Sequence, residues 1–87
     1  MGYGSGAGAG YNSSNFINAV TPTGTVDSVN AAFTLPSSPA PAASLQLFKN
    51  GVLMVANTDY TLAAAAITYA AGAIPQTGDT HVCWYRI

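Results

Sequence analysis

Charge is nearly missing from this sequence. Its 87 residues hold no glutamate, two cations (Lys49 and Arg86) and three aspartates (Asp27, Asp59 and Asp79). The charged fraction is 6%, against about 25% in ordinary soluble domains. Two cations cannot supply the phosphate contacts of nucleic-acid binding, so that class of partner is disfavoured. Cysteine is scarce as well: Cys83 is alone, and no disulfide can form within the chain. One histidine and one cysteine fall short of the three or four ligands of a zinc site, so no metal and no cofactor is expected. Long apolar runs are also lacking. No stretch reaches the ~18 residues of a membrane span, so no membrane partner is expected. The opening "MGYGSGAGAG" lacks the basic start and apolar core of a signal peptide and predicts no secretion.

Chemistry is equally thin. Asp79 and His81 stand two apart and share a strand face. They read as a turn aspartate after Gly78 and a histidine at the start of a strand. His81 and Cys83 could face each other as a nucleophile pair, but no third group orients them and no oxyanion donor is evident. No catalytic residue is assigned, and the chain is not expected to be an enzyme. Cys83, followed by Trp84 and Tyr85, reads as a small buried apolar residue.

What is present is glycine at one end and β pattern over the rest. Residues 1–15 read as a flexible arm. Gly2, Gly4, Gly6, Gly8 and Gly10 are five of the nine glycines, interleaved with Tyr3 and followed by Tyr11. Glycine loses the most backbone entropy on ordering, so such a run holds no fixed conformation by itself. Two readings stand: a disordered tail, or an arm that orders against a neighbouring subunit through Gly2, Tyr3, Gly4, Gly6, Gly8, Gly10 and Tyr11.

Residues 16–87 read as a β domain. "FINAV" ends at Pro22 and Gly24. "TVDSVNAAFTL" predicts one strand, or two short ones around Ser28–Asn30, with Val29, Ala31, Phe33 and Leu35 on one parity. Pro36, Pro39 and Pro41 then forbid a helix or a central strand, which predicts a loop between strands. Asn50-Gly51 is the strongest short hairpin signal, because a type I′ turn needs positive φ at both central positions. A two-residue loop pairs Lys49 with Val52, Phe48 with Leu53, Leu47 with Met54, Gln46 with Val55 and Leu45 with Ala56. Leu45, Leu47, Met54 and Ala56 then share one face, and Phe48, Leu53 and Val55 the other. Both faces are apolar, which predicts a hairpin covered on both sides.

A second hairpin pairs Leu62 with Ile67, Thr61 with Thr68 and Tyr60 with Tyr69 across a four-residue loop, Ala63–Ala66. Like residues sit opposite like, which supports the register. "IPQTGD" reads as a turn. "THVCWYRI" reads as a last strand with His81, Cys83, Tyr85 and Ile87 on one face and Val82, Trp84 and Arg86 on the other. Together these predict an all-β fold, a small antiparallel sandwich or barrel of about six to seven strands.

One set of residues carries a likeness. Val26-Asp27-Ser28-Val29-Asn30, Phe33-Thr34-Leu35, the proline loop, Ser44-Leu45, Asn50-Gly51, Asp59-Tyr60, Ile67-Thr68-Tyr69, the Pro75 turn with Gly78-Asp79, and Tyr85-Arg86 follow one another over about residues 25–87. The set resembles a β-sandwich module of tailed-bacteriophage virion structural proteins, found in tail fibres, appendages and neck- or capsid-associated proteins. His81 and Cys83 depart from it, standing where that module carries aliphatic residues. The resemblance implies a structural, non-enzymatic role in a virion. An arm plus a single module implies a small capsid-decorating or tail or neck accessory protein. The partners implied are other copies of the chain, a trimer by analogy with appendages, and other virion proteins. Phe48, Leu53, Val55, Val82 and Trp84, with the arm, are the expected interface. The alternative is a carbohydrate-binding or adhesive tip module, for which Trp84 beside His81 is the candidate rim.

Overall fold

The computed structural model of the chain describes residues 15–87. The arm residues Gly2, Tyr3, Gly4, Gly6, Gly8, Gly10 and Tyr11 lie outside the described residues. Seven strands follow in order: β1 (Phe16–Val20), β2 (Ala32–Thr34), β3 (Gln46–Lys49), β4 (Val52–Leu53), β5 (Tyr60–Ala63), β6 (Ala66–Tyr69) and β7 (His81–Arg86). They form two antiparallel sheets, one of order β1-β7-β3-β4 and one of order β2-β6-β5. The fold is a small all-β sandwich, as the alternation of the strands predicts.

The two hairpins show how closely local chemistry dictates the fold. Asn50 has φ 53° and Gly51 φ 81°, the pair of positive angles that a primed turn needs. Phe48 pairs with Leu53 and Lys49 with Val52, as expected. Leu47 still accepts a hydrogen bond from the Met54 N–H at 2.7 Å, and there the hairpin ends. The expected pairings of Gln46 with Val55 and Leu45 with Ala56 do not form. The Asp59 side chain takes the Val55 N–H at 2.8 Å, the Asp59 N–H bonds back to the Val55 carbonyl, and the chain turns away. A carboxylate within reach of its own neighbours' backbone competes with the sheet ladder, and here it wins.

In the second hairpin Tyr60–Tyr69, Thr61–Thr68 and Leu62–Ile67 pair as expected. The loop is shorter than the sequence suggests. Ala63 pairs with Ala66, leaving a two-residue turn of Ala64 and Ala65, with Ala64 at φ 52°.

The segment before β2 is a correction. Residues 27–29 are a bend, so the single long strand does not form and the alternative break near Ser28–Asn30 does, but only β2 follows it and no strand precedes it; Val29 points outward with 79% of its surface exposed. Asp27 accepts from the N–H groups of Val29 and Asn30 at 3.0 and 2.8 Å. The Asn30 amide bonds the carbonyls of Thr25 and Ala32. Ser28 is held against the turn that follows Pro75 through the Thr77 N–H at 2.8 Å. Short polar side chains thus remove the backbone groups that a strand would have used.

The core lies between the sheets. Phe33 and Leu35 come from β2 and its end, Leu45 and Leu47 from β3 and its start, Tyr60, Ile67 and Tyr69 from the second hairpin, and Cys83 and Tyr85 from β7. The proline segment carries the chain from β2 in one sheet to β3 in the other, as expected of a crossing loop. Tyr85 anchors it: its hydroxyl is 3.1 Å from Ser37 Oγ.

Candidate functional site: the outer face of the four-stranded sheet

Alternation along β7 divides the sheet into two unlike faces. His81, Cys83 and Tyr85 are buried, and Val82, Trp84 and Arg86 face away from the core. Cross-strand partners share a face, so Val82 stands beside Phe48, Trp84 beside Gln46 and Arg86 beside Phe16. Leu53 extends the first of these rows through its pairing with Phe48. The outer face therefore has an apolar end, the row Leu53–Phe48–Val82, and a polar end around Arg86.

Trp84 stands between the two ends. Its ring meets Phe48 edge to face, with centroids 5.6 Å apart and planes at 88°. Such a pair contributes about 0.5–1.5 kcal/mol beyond its buried area. Even so, Trp84 remains 37% exposed and Leu53 53%. Four of the five strand residues expected at an interface, Phe48, Leu53, Val82 and Trp84, are thus brought onto one face. Val55 is not among them. It is exposed, but it lies in the turn closed by Asp59, beyond the end of β4.

The candidate rim of Trp84 with His81 is overturned. The two stand three positions apart on β7, so they point to opposite faces, and His81 is buried in the core. Trp84 instead lines, together with Asn18, Ser44, Gln46, Arg86 and Phe16, an open depression of about 320 Å³ at the polar end of the face. Strand pairing could have revealed part of this set. The Gln46–Trp84 pair follows once β3 lies beside β7, but that adjacency is a long-range fact that no local pattern carries.

The inner face holds the remaining titratable groups. The Tyr69 hydroxyl is 2.9 Å from His81 Nδ1, and Phe33 packs edge to face on the imidazole at 4.7 Å. His81 Nε2 is buried with no hydrogen-bond partner among the described residues. Burial lowers the His81 pKa and raises that of Tyr69. Cys83 is fully buried, and burial pushes its thiol up to about 11. His81 and Cys83 do share a face, but it is the one sealed between the sheets. A nucleophile needs access and a lowered pKa, and Cys83 has neither. Among the described residues, no cluster of three or more His, Cys, Asp or Glu could hold a metal ion.

The few charges are spent on local structure. Asp27 and Asp59 close the bends described above, and Asp79 accepts from the Gln76 N–H and from the Asn50 amide at 2.8 and 2.9 Å. The Lys49 ammonium donates to the Ala73 carbonyl at 2.7 Å. Arg86 alone presents its charge on the outer face.

Compared with known proteins, the chain matches no family model, no curated protein and no solved structure.

Proposed function

We propose that this chain is a non-enzymatic structural module of a tailed-bacteriophage particle, a small capsid-decorating or tail or neck accessory protein, which assembles with copies of itself through the apolar end of the outer face. The observation that carries the reading is the row Leu53–Phe48–Val82 with Trp84, in which Leu53 and Trp84 are exposed and Phe48 and Val82 half-buried, on a sheet whose other face already supplies the core. Contiguous apolar surface of this kind marks a contact site. The virion setting rests on the resemblance of residues 25–87.

A second copy is the partner that the composition favours. The apolar row carries no charge, so a self-complementary contact meets no like-charge penalty and requires no oppositely charged partner. The sheet edges are poorer contact surfaces. β4 has two residues, and β1 breaks register between Ile17 and Val20, with Ala19 at φ 53°. Short and bulged edges resist strand addition, so on this sheet the face is the better contact surface.

Sedimentation velocity on the full chain and on Leu53→Lys tests the reading. The expected result is a concentration-dependent oligomer for the wild type and a monomer for the variant, with matching thermal midpoints at dilutions where both are monomeric, because Leu53 is half exposed. A wild-type chain that stays monomeric at high micromolar concentration would sink it.

A further inference from the structure

The polar end of the outer face has a different chemistry from the end assigned to assembly. Trp84 is partly exposed and shares the lining of one depression with several polar side chains. The Gln46 amide is its cross-strand neighbour, and the Asn18 amide, the Arg86 guanidinium and the Ser44 hydroxyl line the same open depression. Ser44 is held in place, because its Oγ accepts the Arg86 backbone N–H at 3.1 Å. Phe48 supports the indole from the apolar side.

We propose that this depression is a binding subsite for a pyranose sugar. A pyranose ring has one face of C–H groups and an equatorial rim of hydroxyls. The C–H face suits an aromatic platform, and the rim suits groups that donate and accept in one plane. Gln46 and Asn18 each supply both a carbonyl acceptor and an NH₂ donor, and Arg86 supplies a fork of donors. A concave aromatic site with a few convergent polar groups is the general form of a small-ligand site. The depression is open, so it encloses one sugar only in part, and a single site is expected to bind in the millimolar range. Repetition of the site on an assembled particle would multiply that affinity without any new contact. Trp84 is shared with the assembly surface, but the polar contacts of the subsite lie at the other end of the face from Leu53, so a monomeric Leu53→Lys variant keeps them.

Trp84 is the only tryptophan in the chain. Its fluorescence and its indole N–H resonance therefore report on this part of the outer face, and in the Leu53→Lys variant self-association does not contribute to them. The full chain and its Leu53→Lys variant would be titrated with the methyl glycosides of glucose, galactose, mannose, N-acetylglucosamine and glucuronic acid. At least one sugar is expected to shift both Trp84 signals saturably in one of the two proteins. In that protein, Gln46→Ala and Asn18→Ala should each weaken binding by about threefold to tenfold, the loss of one hydrogen bond, with unchanged thermal midpoints. No saturable shift in either protein up to a concentration on the order of 100 mM, or titrations that both alanine variants leave unmoved, would overturn the subsite.

Discussion

The Tyr69 hydroxyl and His81 Nδ1 meet at 2.9 Å, and this contact joins β6 of one sheet to β7 of the other. Phe33 flanks the imidazole, and Lys49 is its cross-strand neighbour, with the ammonium drawn to the Ala73 carbonyl and over the Tyr69 ring. No carboxylate is hydrogen-bonded to His81 among the described residues. Burial holds its pKa below the ordinary 6.5. The unfolded chain therefore takes up a proton near pH 6.5 that the folded chain refuses. Stability is full above that pH and falls as pH drops through it. The slope for one proton is at most about 1.4 kcal/mol per pH unit. Urea unfolding between about pH 7.5 and about pH 5 should show the loss, and His81→Phe should flatten it. An equal slope in the variant would show that another group is responsible.

A second acid limb belongs to the turns. The N–H groups of Asn30 and Val29 hold Asp27 below the usual carboxylate value of 3.8. The Asn50 amide and the Gln76 N–H, with a smaller contribution from Lys49, do the same for Asp79. Both contributions are present above pH 3.8 and are lost as pH falls below it, so this limb lies under that of His81. Asp79→Asn should lower stability at neutral pH and reduce its pH dependence below about pH 4. Denaturant midpoints at neutral and acid pH check both parts.

Two glycines limit substitution in different ways. At Gly51 an added Cβ would meet nothing within 4 Å, so the cost of a side chain is conformational. Gly51→Val should destabilise by about 1–3 kcal/mol, and Gly51→Asn by much less, because asparagine tolerates positive φ. At Gly24, where φ is 155°, a Cβ would in addition collide with the Phe33 ring, which is itself buried. Gly24→Ala should cost at least as much, by overpacking, and asparagine should not relieve it. Thermal melts of the four variants distinguish the two causes. Wild-type melting of Gly51→Val would remove the turn assignment.

Cys83 should behave as a buried reporter. Its side chain is fully buried, the Sγ sits 3.5 Å from the Val20 carbonyl, and the thiol pKa is raised to about 11. An aromatic disulfide reagent near pH 8 should label the native chain slowly and should release one equivalent at once in denaturant. Rapid labelling of the folded protein would contradict the burial.

Legibility in the sequence followed the range of the forces. Asn50-Gly51 and the mirrored Tyr60–Tyr69 pairs specify their hairpins through neighbours, and both registers could be read directly. The inner and outer faces of β7 followed from alternation alone. Val55 and Val29 misled because apolar parity suggested strand, while Asp59 and Asp27 captured the backbone groups that strand would have needed. The alanine run concealed a tighter turn, because Ala64 carries no sign of a positive φ. The set around Trp84 was hidden for another reason. Asn18, Gln46 and Trp84 meet through the order β1-β7-β3, and such order is decided by the whole chain.

That strand order also governs how the domain can form. β7 is the last strand along the described chain, yet it lies between β1 and β3 in its sheet. Until residues 81–86 are in place, β1 has nothing to pair with and β3 has only the two residues of β4. The other sheet draws β2 from one side of the proline segment and β5 and β6 from beyond β4. No stretch of the chain can complete a sheet by itself, so independent local folding gains little. Long loops must close before the pairing that rewards them, a topology that predicts a slow, single-step reaction for so small a protein.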